Sequence, residues 1–330
     1  MKANSGYKNI DSDLDPYLLF TTILKPVIQH ITEDTISYNN KLGNPIQGTI
    51  LDLDIIDFFM ILFAMGLNKL PAIYLYWSNS NTHSGLYGND FIKSTMSKNQ
   101  FWAINKILHC NITIVINLLN GIFQNIWTPY KEVAIDESII SFKGKYPHKQ
   151  HIPTKPHSTG IKLYGMADNK SFMWSFWIYK GKGDITYDAK PHSVVMDFVK
   201  LLLNKDYIIY CDSYYGSLEL AENLDKEEYK FVLSVRANRL TWLFKDNLQV
   251  GLKKGEWEYK TNNNLCATSF YDMKKCNFIS NCYSGSLVSS SPQMVAKYNK
   301  FKGLLDMADA HWNRYLQRQK KIKWTKVISV

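Results

Sequence analysis

Two β-rich segments of this chain each carry an aspartate where a strand has little use for one, and this constrains the fold more than any other feature. The run VAIDESIISF, residues 133–142, is β-rich and holds Asp136 inside it. The run YIIYCD, residues 207–212, is a short apolar strand that ends at Asp212. Aspartate is depleted in strands, and a lone carboxylate among apolar neighbours is costly unless a partner or a cation compensates it. Ligands of open α/β sheets bind at strand ends. Both acids therefore read either as structural strand-end pairs or as members of one site.

The surrounding pattern supplies the sheet. IKLYGMAD and SFMWSFWIYK read as strands joined by a tight hairpin turn at Asp168-Asn169-Lys170. A helix fits 192–203, and another, SLELAENL, follows Gly216 before the strand KFVLSVR. This order predicts a mixed α/β sheet with packed helices. The first 125 or so residues differ. Helical spacing marks a helix opening at Pro16, a second over IIDFFMILFAMGL, a third from about Ser97 to His109 and a more ambiguous one over 112–126. Residues 241–293 read as an insertion with short β-like runs and a Ser-rich loop at 284–291. Residues 294–316 read as helix, and the basic end carries Arg314, Arg318, Lys320 and Lys321.

That last helical stretch contains Asp306, with Asp309 at i+3 on the same helix face. Alone, such a pair is an ordinary solvated face. Two strand acids and one helix acid converging at a sheet edge would instead form a set of hard oxygen donors suited to Mg²⁺ or Mn²⁺. After Asp136 comes a basic loop stiffened by prolines, holding Lys143, Lys145, Lys149, Lys155 and Lys162, with His148, His151 and His157. Beside a metal site, such lysines fit phosphate contacts. The formal net charge of +10 points the same way, towards a polyanion.

Other chemistries are disfavoured. The five cysteines lack zinc-knuckle spacing, so reduced thiols are expected. The apolar stretch from Ile55 to Leu67 is broken by Asp57 and falls short of the about 20 residues that span a bilayer. No signal peptide and no membrane partner are expected. Nucleophile elbow, Walker and HExxH patterns are absent from the sequence. A carboxylate pair also suits a glycosidase, which the basic balance argues against.

The run AIDESIISFKGKYPHKQHIPTKPHSTGIKLYGMAD resembles the piggyBac transposases, which share an IDE start, F-[RK]-G-[RK], IP-x-KP and G-I-K. YCDSYYGSLELAENL, FVLSVRANR and KYNKFKGLLDMAD are similar to later blocks of that family, and the helical front portion also fits. The resemblance implies an RNase H-like catalytic domain with Asp136, Asp212 and Asp306 as catalytic and metal-holding residues, and Asp309 as a further acid. It implies Mg²⁺ or Mn²⁺, cut-and-paste chemistry on double-stranded DNA with hairpin intermediates, a TTAA target, a homodimer and a nuclear location. The expected layout is a tail at 1–15, a helical dimerisation and DNA-binding domain at 16–130, the catalytic domain at 131–240, an insertion domain at 241–293, the third acid's helix at 294–312 and a basic helical start at 313–330. Arg236, Arg239 and the C-terminal basic residues join the lysines as expected DNA contacts. Where the family has two glycines this chain reads Gly303-Leu304, which alters the start of that helix. The family's C-terminal cysteine-rich zinc domain has no counterpart in these residues, so a fragment, a decayed copy or a domesticated, catalytically silent DNA-binding protein is the alternative.

Overall fold

The computed structural model describes residues 5–8, 15–43, 45–78, 87–142, 144, 146–153, 158–181, 190–239, 251–288 and 290–315. The chain divides into two compact units. One comprises Met1–Lys8, Ile126–Ile139 and Lys162–Asp309, and the other Asn9–Asn125, Ile140–Ile161 and Ala310–Val330.

The second unit is helical over α1 (Pro16–Asn40), α2 (Asp52–Leu67), α3 (Asp90–Thr95), α4 (Lys98–Ile107) and α5 (Ile112–Ile126). Local chemistry sets the starts. Asp15 Oδ1 accepts the N–H groups of Tyr17 and Leu18 at 2.9 and 3.2 Å, and Pro16 takes the first helical position, where no N–H is needed. Ser97 Oγ likewise accepts from the Gln100 amide at 3.2 Å. The most apolar helix, α2, buries Ile55, Phe58, Phe59, Ile61, Leu62 and Met65. Phe58 stacks on Phe101 of α4 with ring centres 4.9 Å apart. Among the described residues, no single helix is long and apolar enough to cross a membrane, although the bent pair α4 and α5 passes that test together by length and composition.

The other unit is built on a sheet. Its strands are β1 (Gly6–Tyr7), β2 (Trp127–Thr128), β3 (Glu132–Ser141), β4 (Gln150–His151), β5 (Thr159–Asp168), β6 (Met173–Ile178), β7 (Ile208–Cys211), β8 (Lys230–Val235), β9 (Trp257–Asn262), β10 (Leu265–Tyr271), β11 (Lys275–Ser280), β12 (Leu287–Val288) and β13 (Ser291–Pro292). Strands β1 and β2 form a small separate pair, and β4 belongs with the helical unit's residues. The main sheet runs β4-β5-β3-β7-β8-β11-β10-β9, with β6 paired to β5. Pairing is parallel for β3 with β7 and for β7 with β8, and antiparallel for β5 with β6 and for β8 through β11, β10 and β9.

Parallel neighbours need a crossover of a dozen or more residues. Helix α6 (Pro191–Val199) lies on the path into β7, and α7 (Leu218–Lys226) links β7 to β8. Helices α6 and α7 pack on one face, where Val133, Ile135, Tyr164, Ile209, Cys211, Phe231 and Leu233 meet Val194, Phe198, Leu220 and Leu224 in one core. Trp177 stacks on Phe198 with ring centres 3.7 Å apart. The opposite face meets α8 (Gln293–Phe301), through contacts of Tyr210 with Phe301 and of Phe278 with Tyr298. Burial on both faces explains why β7 reads as an unbroken apolar run.

Three segments differ from the sequence expectation. The 294–316 helix is two helices, α8 and α9 (Leu304–Tyr315), separated at Lys302 and Gly303. Leu304, the residue in place of the second glycine, is buried as the first residue of α9. In the Ser-rich 284–291 stretch, Leu287–Val288 pairs with Ser291–Pro292. The described part of 241–293 adds β9, β10 and β11 to the edge of the main sheet through β8, because the antiparallel register Asn277↔Val235 to Ser280↔Val232 continues the ladder.

Candidate active site

The parallel ladder between β3 and β7 pairs Glu132, Val133, Ala134 and Ile135 with Ile208, Ile209, Tyr210 and Cys211. The next residues are Asp136 and Asp212, so the two acids sit side by side where the pairing ends. Adjacent strands lie about 4.8 Å apart, which sets the separation of the two backbones. Strand alternation turns Ile135 and Cys211 into the α6/α7 core and assigns Asp136 to the α8 face. The chain leaves β3 towards β5 and β6 on one side and returns to β7 on the other. This is the kind of switch point at which open sheets bind ligands.

Asp212 is held in a tight turn. Its Oδ1 accepts the Tyr214 amide at 2.8 Å, and its carbonyl accepts the Tyr215 and Gly216 amides at 3.2 and 2.9 Å. Burial raises its carboxyl above the ordinary range; the neighbouring Glu137 charge adds to this, while the Tyr214 and Tyr215 amides and Arg236 oppose it. The same two aspartates act on their surroundings. Burial, then the charges of Asp212 and Asp136, raises the Cys211 thiol and the Tyr298 phenol of α8. The Asp136 Oδ1 accepts the Glu137 amide at 2.7 Å.

The third acid is less closely placed. Asp306 is exposed in the first turn of α9. One turn later, Asp309 Oδ1 accepts Ser138 Oγ at 2.7 Å, tying α9 to β3 two residues beyond Asp136. Leu305 presses on Gly165 of β5, so closely that a Cβ there would lie 3.0 Å from its Cδ1. Asp309, expected as a further metal ligand, has this oxygen engaged by a hydroxyl in the metal-free structure, which makes it an anchor of α9. Among the described residues, no three His, Cys, Asp or Glu side chains form a group that could hold an ion. The donor chemistry of Asp136 and Asp212, paired hard carboxylates in a partly buried setting, fits a divalent cation; the three-acid grouping is not closed.

Of the expected phosphate contacts, Lys149, Arg236 and Arg314 are exposed. Lys149 Nζ donates to the Gly144 carbonyl at 3.2 Å. Arg239 is instead a brace: its Nη1 donates to the carbonyls of Tyr214 and Ser213 at 2.7 and 3.3 Å, inside the Asp212 turn. Lys162 is a correction. It is 7% exposed, with Nζ 4.7 Å from the ring centres of both Tyr164 and Tyr214, because β5 points it into the core face. Lys143, Lys145, Lys155, His157, Arg318, Lys320 and Lys321 lie outside the described residues.

Two features escaped sequence reading. Asp168, expected only as a turn residue, is fully buried. Gly216, expected only to precede a helix, lies so close to β8 that an added Cβ would overlap the Ser234 carbonyl oxygen. Gly216→Ala is expected to destabilise the protein by about 2–4 kcal/mol, because rigid backbone must move. Urea denaturation checks it, and a midpoint matching wild type would show that the turn yields freely.

These observations define a class: a mixed α/β protein with helices on both sheet faces and an acidic pair at adjacent parallel strand ends. The family described as Transposase IS4 matches residues 15–330, and the chain belongs to that family. The human PiggyBac transposable element-derived protein 3 is 22% identical over 314 residues, covering 81% of this chain and 51% of that protein. The human Chimeric ERCC6-PGBD3 protein is likewise 22% identical over 314 residues, with 28% of its length covered. This chain thus spans about half the length of the first relative and a smaller share of the second. Among solved structures, a piggyBac transposase synaptic complex with hairpin DNA matches with a TM-score of 0.84 at 22% identity, over 99% of this chain and 74% of that one. At that identity the likeness speaks to the fold.

Proposed function

We propose that this chain carries the catalytic core of a cut-and-paste DNA transposase on an RNase H-like scaffold, acting on double-stranded DNA in the nucleus. One observation carries the reading: Asp136 and Asp212 stand side by side beyond the last β3–β7 pair, at the switch point of the sheet. The strand order β6-β5-β3-β7-β8, with an antiparallel hairpin on one side and parallel strands on the other, supports the RNase H-like assignment.

Asp136, Asp212 and Asp306 would hold Mg²⁺ or Mn²⁺, with Asp306 supplied by the helix that Asp309 anchors. Such cations, when bound, activate a water or a 3′-hydroxyl and steady the leaving oxygen of a phosphodiester. The protein's own part is placement. The Asp212 turn holds one carboxylate through the Tyr214 amide, and Arg239 stiffens that turn from behind. Lys149, Arg236 and Arg314 are the described exposed cations assigned to phosphate contact. A TTAA target, hairpin intermediates and a homodimer complete the reading.

The test is nicking of supercoiled plasmid carrying the element's ends, with Mn²⁺ titrated in, by wild type and Asp136→Ala. Nicking that needs Mn²⁺ and disappears in the variant supports the proposal. Equal nicking by both proteins would overturn it. DNA binding without cleavage by either protein would favour the silenced, domesticated reading. In either reading, binding is expected to weaken with salt with a log–log slope of about −0.9 per phosphate contacted. Arg236→Ala is expected to reduce the magnitude of that slope by about 1, as measured by fluorescence anisotropy.

A further inference from the structure

The strand face opposite Asp136 holds a polar cluster with no part in the chemistry above. Alternation along β3 turns Glu137 to the face shared with Ile135, and along β5 turns Lys162 to the face shared with Tyr164. Tyr215, 1% exposed, donates its hydroxyl to Glu137 Oε2 at 3.1 Å. The hydroxyls of Tyr164 and Tyr214 are hydrogen-bonded to each other. The buried Lys162 ammonium lies 4.7 Å from the ring centres of both Tyr164 and Tyr214. Tyr214 and Tyr215 pack edge to face with ring centres 4.9 Å apart.

A buried ammonium and a half-buried carboxylate are costly unless they are engaged, and satisfied polar networks rigidify what they touch. Here they engage the two residues that follow the Asp212–Ser213 step. The amides of those residues, in turn, hold Asp212: Tyr214 through the carboxylate and Tyr215 through the carbonyl. The path therefore runs from Glu137 and Lys162, through Tyr215 and Tyr214, to the orientation of the Asp212 carboxylate.

We propose that Glu137 and Lys162 are positioning residues that orient Asp212 for cation binding, Glu137 through the Tyr215 hydroxyl and Lys162 through the Tyr214 ring. This rests on the reading of Asp212 as a cation ligand. It gives Lys162 a different task from phosphate contact and gives Glu137, adjacent in sequence to Asp136, a task on the other side of the strand.

Partners that orient a metal ligand from behind typically change metal affinity 10–100-fold when removed. The test is Mn²⁺ affinity of the full chain, read from the electron paramagnetic resonance signal of free Mn²⁺, with no catalysis required. Tyr215→Phe, Glu137→Ala and Lys162→Met are each expected to weaken binding about tenfold. Glu137→Gln keeps an acceptor for the Tyr215 hydroxyl and is expected to recover most of the affinity. The Glu137→Ala/Tyr215→Phe double variant is expected to bind no more weakly than either single variant. Unchanged affinity in Tyr215→Phe and Lys162→Met proteins that melt cooperatively overturns the proposal while leaving Asp212 as a ligand. Wild type that binds no Mn²⁺, or binds it as well with Asp212→Ala, overturns both readings together.

Discussion

Asp212→Asn is expected to move function and stability in opposite directions. Under the proposed function, metal-dependent DNA cleavage should fall at least about a thousandfold, since a cation ligand worth several kcal/mol in the transition state would be removed. The metal-free protein should melt about 1–3 °C higher at pH 7. The sign follows from the site. Burial, reinforced by the Glu137 charge, raises the folded-state Asp212 carboxyl above the ordinary 3.8. The folded chain therefore keeps this proton to higher pH than the unfolded chain, and stability drops as pH rises between the two values. Above the folded value the full penalty remains; below 3.8 both states are protonated and it vanishes. Asparagine escapes the penalty and can still accept the Tyr214 amide. Differential scanning calorimetry at pH 7 and pH 3 checks this. A variant less stable than wild type at pH 7 would show that the Asp212 charge is compensated within the folded chain.

Asp168→Ala is expected to cost about 3–5 kcal/mol of stability, because it strands several donors at once. Its Oδ2 accepts Trp127 Nε1 at 2.7 Å and the Tyr130 amide at 3.1 Å. Its Oδ1 accepts the Lys170 and Phe172 amides at 3.0 and 3.2 Å. One carboxylate thus ties the β5–β6 hairpin to the segment that leads into β3, where Trp127 also stacks on Phe172 with ring centres 4.7 Å apart. Asp168→Asn retains one full acceptor oxygen and should cost about half as much. Guanidinium denaturation separates the two, and an Asp168→Ala midpoint equal to wild type would sink the account. In contrast to Asp212, Asp168 is an acid whose oxygens are fully engaged by donors, which marks it as structural although both sit at strand ends.

What the sequence determined was local. The β-branched and apolar residues of VAIDESIISF and the unbroken apolar run of YIIYC specify strands, while caps such as Ser97 and Asp15 and apolar spacing in α2 specify helices. These signals lie within a few residues of each other, so they survive without knowledge of the rest of the chain. The hairpin at Asp168-Asn169-Lys170 was legible for the same reason. The resemblance to piggyBac transposases was legible because its motifs are short and ordered. Tertiary structure decided which strands are neighbours and therefore what the acids do. Parallel pairing of β3 with β7 brings Asp136 beside Asp212, and only a hydrogen bond between residues 171 positions apart makes Asp309 an anchor. Lys162 looks like one more lysine of a basic loop until β5 turns it inward between two tyrosine rings. The face a strand side chain occupies depends on register with distant strands, and a one-residue slip would reverse it. That is why the positions of the acids could be read from the sequence, while the pairing of Asp136 with Asp212, the anchoring by Asp309 and the buried hydrogen bonds of Asp168 required the assembled sheet.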